Sequence, residues 1–222
     1  MKILLIGVLF FLNLPAVFSQ RVEVPTSKKE AEKLLKQDRI DSQRSKQYFD
    51  ADEKCRNLIR ARKFIEAESV CRNAVSLAEK LPKDRYLEKS VAYELLAVVL
   101  IRQARAGEAI PLLNQSLEAA KPVIDDTDAE TGERYFWLGQ ANHQLGKINE
   151  AREYYTKAEN SYRTAFKEMG DSDIREFYPQ PIVNILEAHL ILLKDAGLKE
   201  EAAKIEKRLV ETKVEFAKFL EN

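Results

Sequence analysis

The chain repeats itself at a fixed interval, and few folds accommodate that. Phe64-Ile65-Glu66-Ala67-Glu68, Ala106-Gly107-Glu108-Ala109-Ile110 and Ile148-Asn149-Glu150-Ala151-Arg152 share a Glu-Ala pair whose alanine stands at 67, 109 and 151, two equal steps of 42 residues. A fourth copy, Glu201-Ala202, follows after a longer step of 51. Equal spacing over several copies marks an array of one supersecondary unit, which buries its apolar face only by stacking on its neighbours.

Aligned on those alanines, Ala51, Cys55 and Leu58 fall in register with Tyr93, Leu96, Ala97 and Leu100, and with Tyr135, Leu138 and Gly139. Offsets of three, four and seven trace one face of an α-helix. After each Glu-Ala pair a second stripe appears: Ala67, Cys71 and Ala74, then Ala109, Leu113 and Leu117, then Ala151, Tyr155 and Ala158. Each unit is therefore expected to be two antiparallel helices joined by a short polar turn, with small residues at the crossing so that the helices approach closely. Seven Gly and seven Pro in 222 residues are too few for the turns of an all-β sandwich.

Tyr135-x2-Leu138-Gly139, followed by Ala151-x3-Tyr155 and Ala158, resembles the tetratricopeptide repeat, with Tyr135 where that family often has Trp. Asn142 departs from the family's usual aromatic residue. The 42-residue period resembles the longer variant found in kinesin light chain-like arrays, and Glu66 to Ala74 and Glu108 to Leu113 are similar to that variant's second helix. The likeness runs from about Tyr48 to Lys167. It implies an all-α, right-handed solenoid of antiparallel helix pairs: three good units over 48–168, an insertion at 169–181, and a degenerate pair with a capping helix over 182–222. An N-terminal linker and helix occupy 20–47, where Ser27-x-x-Glu30 has the form of a capping box. Gly170, Pro179 and Pro181 interrupt helical order in the insertion.

Residues 1–19 read as a signal peptide. Lys2 precedes an apolar run ended by Pro15, and Val17 and Ser19 satisfy the small-residue rule for cleavage before Gln20. The run is shorter than the roughly 20 apolar residues that span a bilayer, so the mature chain is expected to be exported, periplasmic or secreted, without a membrane span. In an oxidising compartment Cys55 and Cys71 can pair. They lie at equal distances from Lys63 in the turn of the first unit, where the aligned units hold Ala97 with Leu113 and Gly139 with Tyr155. Two buried thiols would suit the same places; export favours a disulfide, which is the expectation.

Charge and motifs narrow the function. Lys and Arg number 36, and Asp and Glu also number 36, so the basic excess of a nucleic-acid binder is missing. The chain has two histidines and no His-Glu-x-x-His, phosphate loop or nucleophile elbow. His189 falls on a buried stripe and reads as a core histidine satisfied by a hydrogen bond. No catalytic residue, metal or cofactor is expected, and an unrecognised hydrolase ranks last.

The resemblance implies that the first helix of each unit lines a concave side. The partner-binding residues expected there are Arg56, Arg60, Val98, Ile101, Arg102, Phe136, Gln140, His143, Ile191 and Lys194, a mixture of cationic and apolar side chains suited to a peptide segment carrying an acid. Asp52, Glu94 and Phe136 stand where the basic clamp of co-chaperones would need lysine. The function expected is a scaffold that binds a protein or peptide segment; the alternative is a self-assembling structural component of the cell envelope.

Overall fold

The computed structural model describes residues 27–170 and 172–220, without the side chains of residues 173 and 174. The expected signal peptide and its cleavage point lie outside these residues. The chain divides into two compact units, residues 1–39 and 40–222. In the first, the described residues form the start of α1 (Lys28–Arg60), where Ser27 Oγ accepts the backbone N–H of Glu30 at 3.2 Å. That bond satisfies one of the free amides at a helix start.

The second unit continues α1 and then alternates short turns with α2 (Phe64–Ala78), α3 (Tyr86–Arg102), α4 (Ala106–Ala120), α5 (Ala129–Gln144) and α6 (Ile148–Glu168). A 3₁₀ turn, Asp173–Phe177, leads into α7 (Pro179–Asp195), α8 (Lys199–Glu215) and the short α9 (Ala217–Leu220). No strand occurs among the described residues. Each helix from α2 to α8 packs on the next, and α3 also touches α5 as α5 touches α7. The chain is thus the all-α solenoid of helix pairs that the repeat implies.

The turns inside the pairs repeat as regularly as the helices. Arg62, Ala104, Gly146 and Gly197 all have positive φ, between 58° and 71°. At each, the following residue donates its N–H five residues back: Lys63 to Leu58, Arg105 to Leu100, Lys147 to Asn142 and Leu198 to Leu193, each at 2.9 Å. This is the Schellman closure, which satisfies carbonyls left open at a helix end and favours glycine at the left-handed residue. Two of the four positions carry a side chain there and bear its steric cost.

Packing at the crossings follows the small-against-large rule. A Cβ placed on Gly139 would meet the Tyr155 ring at 2.7 Å, so only glycine fits opposite that buried tyrosine. In the first pair both opposed residues are cysteines, fully buried, with Cα atoms 5.2 Å apart and joined in a disulfide. That separation lies within the range a disulfide requires. The last pair is held by a different core, in which Ile182, Leu186, Leu190 and Leu193 of α7 meet Ile205 and Leu209 of α8 and Phe216 beyond it.

A polar seam crosses the centre of the array. Ser90 Oγ of α3 donates to the Ser116 carbonyl at 2.8 Å, Ser116 Oγ of α4 returns a bond to the Ser90 carbonyl at 2.8 Å, and Arg134 Nε of α5 donates to Ser116 Oγ at 2.8 Å. Arg134 is buried and its Nε lies 3.3 Å from Glu94 Oε2. Desolvation makes such a pair depend on complete hydrogen bonding; here the serines provide part of it.

Candidate functional site

Because α3, α5 and α7 are the first helices of successive units and touch in order, they share one wall. Between α5 and α7 this wall opens into a groove of about 580 Å³. Arg102, Phe136, Gln140, His143 and Ile191, half of the residues expected to bind a partner, line it together. Phe136 is half-buried and Ile191 exposed, so an apolar surface is open to an incoming chain.

Others of the expected set do not join them. Val98 and Ile101 are 6% and 2% exposed, and Ile101 belongs to the core around Cys55 and Leu100; as contact residues they are corrected to core residues. The reason is the position of α3, flanked by α2, α4 and α5, which leaves its Leu96–Ile101 run no free face. Arg56 lies outside the groove lining and donates to Asp52 Oδ2 at 2.7 Å, a neighbour one turn away. Arg60 donates to Asn57 at 2.9 Å, and Lys194 to Glu206 of α8 at 2.9 Å. None of these three cations lines the groove.

The groove also has a lining that the helical stripe did not include. Trp137, the chain's single tryptophan, sits beside Phe136 with ring centroids 5.2 Å apart, and the Arg102 guanidinium lies 5.1 Å from the centre of its ring. Cations favour that face of an indole. Tyr162, Glu133, Ile185 and Glu187 also line the groove. Glu133 and Trp137 stand seven and three residues before Gln140, which the stripe did include, and that spacing is the signal that could have found them.

Charge in the groove is only partly compensated. Glu187 accepts from Lys213 Nζ at 2.7 Å, and His143 Nε2 lies 3.4 Å from Asp195 Oδ2. Arg102 and Glu133 make no ion pair among the described residues. Glu94, 9% exposed, has its pKa pushed up to about 8, chiefly by burial and further by Glu133, against the lowering pull of Arg134 and Arg56. At neutral pH it is therefore largely protonated and adds little negative charge to the wall.

His189 is buried on α7, but the hydrogen bond expected for it is not complete: Nδ1 finds no partner among the described residues. Burial, then Arg208 and Arg152, depress its pKa to about 4 and keep the ring neutral. No group of three or more His, Cys, Asp or Glu among the described residues is arranged to hold a metal ion. No described helix is long and apolar enough to cross a membrane.

A stack of antiparallel helix pairs with an open wall of first helices defines a helical repeat protein that presents a surface. The chain belongs to the tetratricopeptide repeat family, whose model matches residues 53–121 and, overlapping, 90–164, together just over half of the chain. Tetratricopeptide repeats generally mediate protein–protein interaction. Among solved structures, a Podosopora anserina kinesin light chain candidate with nearly identical TPR-like repeats is 12% identical, with a TM-score of 0.46, covering 75% of this chain and 94% of that one. A substituted form of that protein is 14% identical, with a TM-score of 0.45 and coverage of 76% and 95%. BtubC (BKLC) from P. vanneervenii is 14% identical, with a TM-score of 0.42 and coverage of 81% and 92%. No curated protein matches the chain in sequence.

Proposed function

We propose that this chain is an exported, non-enzymatic scaffold that binds a protein or peptide segment in the concave groove between α5 and α7. The observation that carries the reading is the groove itself: about 580 Å³, walled by Phe136, Trp137, Ile185 and Ile191, and edged by charges of both signs. An open trough that sets apolar walls beside polar groups suits an extended segment, whose side chains fill it while its backbone stays hydrated at the rim. Binding is reversible docking on a wall held by the helix pairs behind it. The leader at residues 1–19 supports export.

Co-purification from the native envelope tests the site. Ile191→Asp and Phe136→Ala are expected to lose the partner that the unaltered chain retains, with circular dichroism unchanged. Retention of the partner by both variants would place binding elsewhere. Mass measurement of exported material tests the leader, with Gln20 expected as the first residue; a retained Met1 would refute cleavage.

A further inference from the structure

Two charges in the groove have opposite sign and no ionic partner among the described residues, and they enter from different ends. Glu133 stands near the start of α5, while Arg102 is the last residue of α3. Gln144 Nε2 donates to the Ile101 carbonyl at 3.0 Å, so the end of α5 lies beside the end of α3. Glu133 precedes Gln144 by eleven residues, about 16 Å along the helix axis at the usual rise. The Arg102 guanidinium, however, leans back over Trp137, which follows Glu133 by four residues, so the two charges are separated by only about 6 Å along the axis. The Phe136 and Trp137 rings line the groove beside the charges, and Ile185 and Ile191 of α7 line it too. The remaining lining carboxylate, Glu187, already faces Lys213, and the His143 ring lies beside Asp195.

We propose that this groove selects a segment of mixed charge: a basic side chain facing Glu133 and an acidic one facing Arg102, two or three residues apart, with an apolar side chain between them. An extended chain advances about 3.3 Å per residue, so that spacing spans roughly 7–10 Å. The inference rests on the groove being the binding site and sharpens what it binds. A purely acidic segment would meet Glu133 unpaired, and the cations that would favour it, Arg56, Arg60 and Lys194, lie outside the groove. Like charge brought against an unpaired carboxylate is a repulsive selector.

Panning displayed random dodecapeptides on the full chain, with Trp137 emission as the binding signal, tests this. Peptides with a basic and an acidic residue at the stated spacing are expected to dominate. Their affinity should fall at least tenfold on Glu133→Lys and on Arg102→Glu, and the double variant should prefer peptides with the two charges exchanged. Both positions are exposed, so circular dichroism should be unaltered. Enriched peptides of one charge sign that still change Trp137 emission would overturn the mixed-charge selection and leave the groove as the site. Peptides that bind without changing that emission, and with equal affinity to Ile191→Asp, would overturn both, as would a library that yields no binder.

Discussion

The first and last helix pairs share a layout and are held by different forces. At the crossing of α1 and α2 the inward residues are small, Cys55, Ala67, Cys71 and Ala74, and a covalent bond joins the helices. At the crossing of α7 and α8, branched aliphatic residues and Phe216 bury a large apolar area, and both cysteines of the chain are elsewhere. A close crossing leaves little room for side chains, so hydrophobic burial there is limited and constraint of the unfolded chain takes its place. The crossing of α7 and α8, lined by large side chains, does the reverse. One architecture therefore admits two stabilising terms, chosen by the size of the residue at the crossing.

The comparison breaks most readily in the last pair. Leu186 is fully buried in its core, and Leu186→Ala should cost about 3–5 kcal/mol by urea unfolding, through lost transfer energy and the cavity left behind. In the first pair, Cys55→Ala with Cys71→Ala should cost roughly 3 kcal/mol, and reductant should destabilise the unaltered chain but not this variant. Thiol titration of the unfolded, unreduced chain should find no reactive group. Between these extremes, Gly139→Ala should cost about 1–3 kcal/mol, since its methyl meets the Tyr155 ring.

Buried groups of the central and last pairs should also answer pH with opposite sign. Glu94 holds its proton in the folded state up to about pH 8, whereas unfolded it releases it near 4.5. Its contribution is therefore complete below 4.5 and is lost as pH rises through 8, with a slope of at most about 1.4 kcal/mol per pH unit. His189, depressed from 6.5 to about 4, contributes fully above 6.5 and loses that contribution as pH falls through 4. Urea midpoints measured from pH 4 to 9 should show the alkaline loss vanish in Glu94→Gln and the acid loss vanish in His189→Gln.

The smallest expected effect separates the turns. Ala104 carries a side chain at φ 59°, so Ala104→Gly should stabilise by about 0.5–1 kcal/mol, whereas Gly197→Ala should destabilise by a similar amount. Equal midpoints for these two variants and the unaltered chain would show that the closures differ in no respect that matters to stability.

Helix pairing, the crossings and the family were legible in the residues alone. A period of 42 and stripes at offsets of three, four and seven depend only on local geometry, and local geometry is written in the order of the chain. The cysteine pair was legible for the same reason, since two residues equidistant from a turn meet across it. Tertiary structure alone decided which of the outward residues reach a partner. Val98 and Ile101 lie on the stripe drawn for the groove, yet α2, α4 and α5 enclose the helix that bears them. Arg134 was not singled out from the sequence, because its partners Glu94 and Ser116 come from other helices, 40 and 18 residues away. Periodicity fixes the angle of a side chain around its own helix; whether that angle meets solvent, a counter-charge or another helix depends on contacts between residues far apart in the chain.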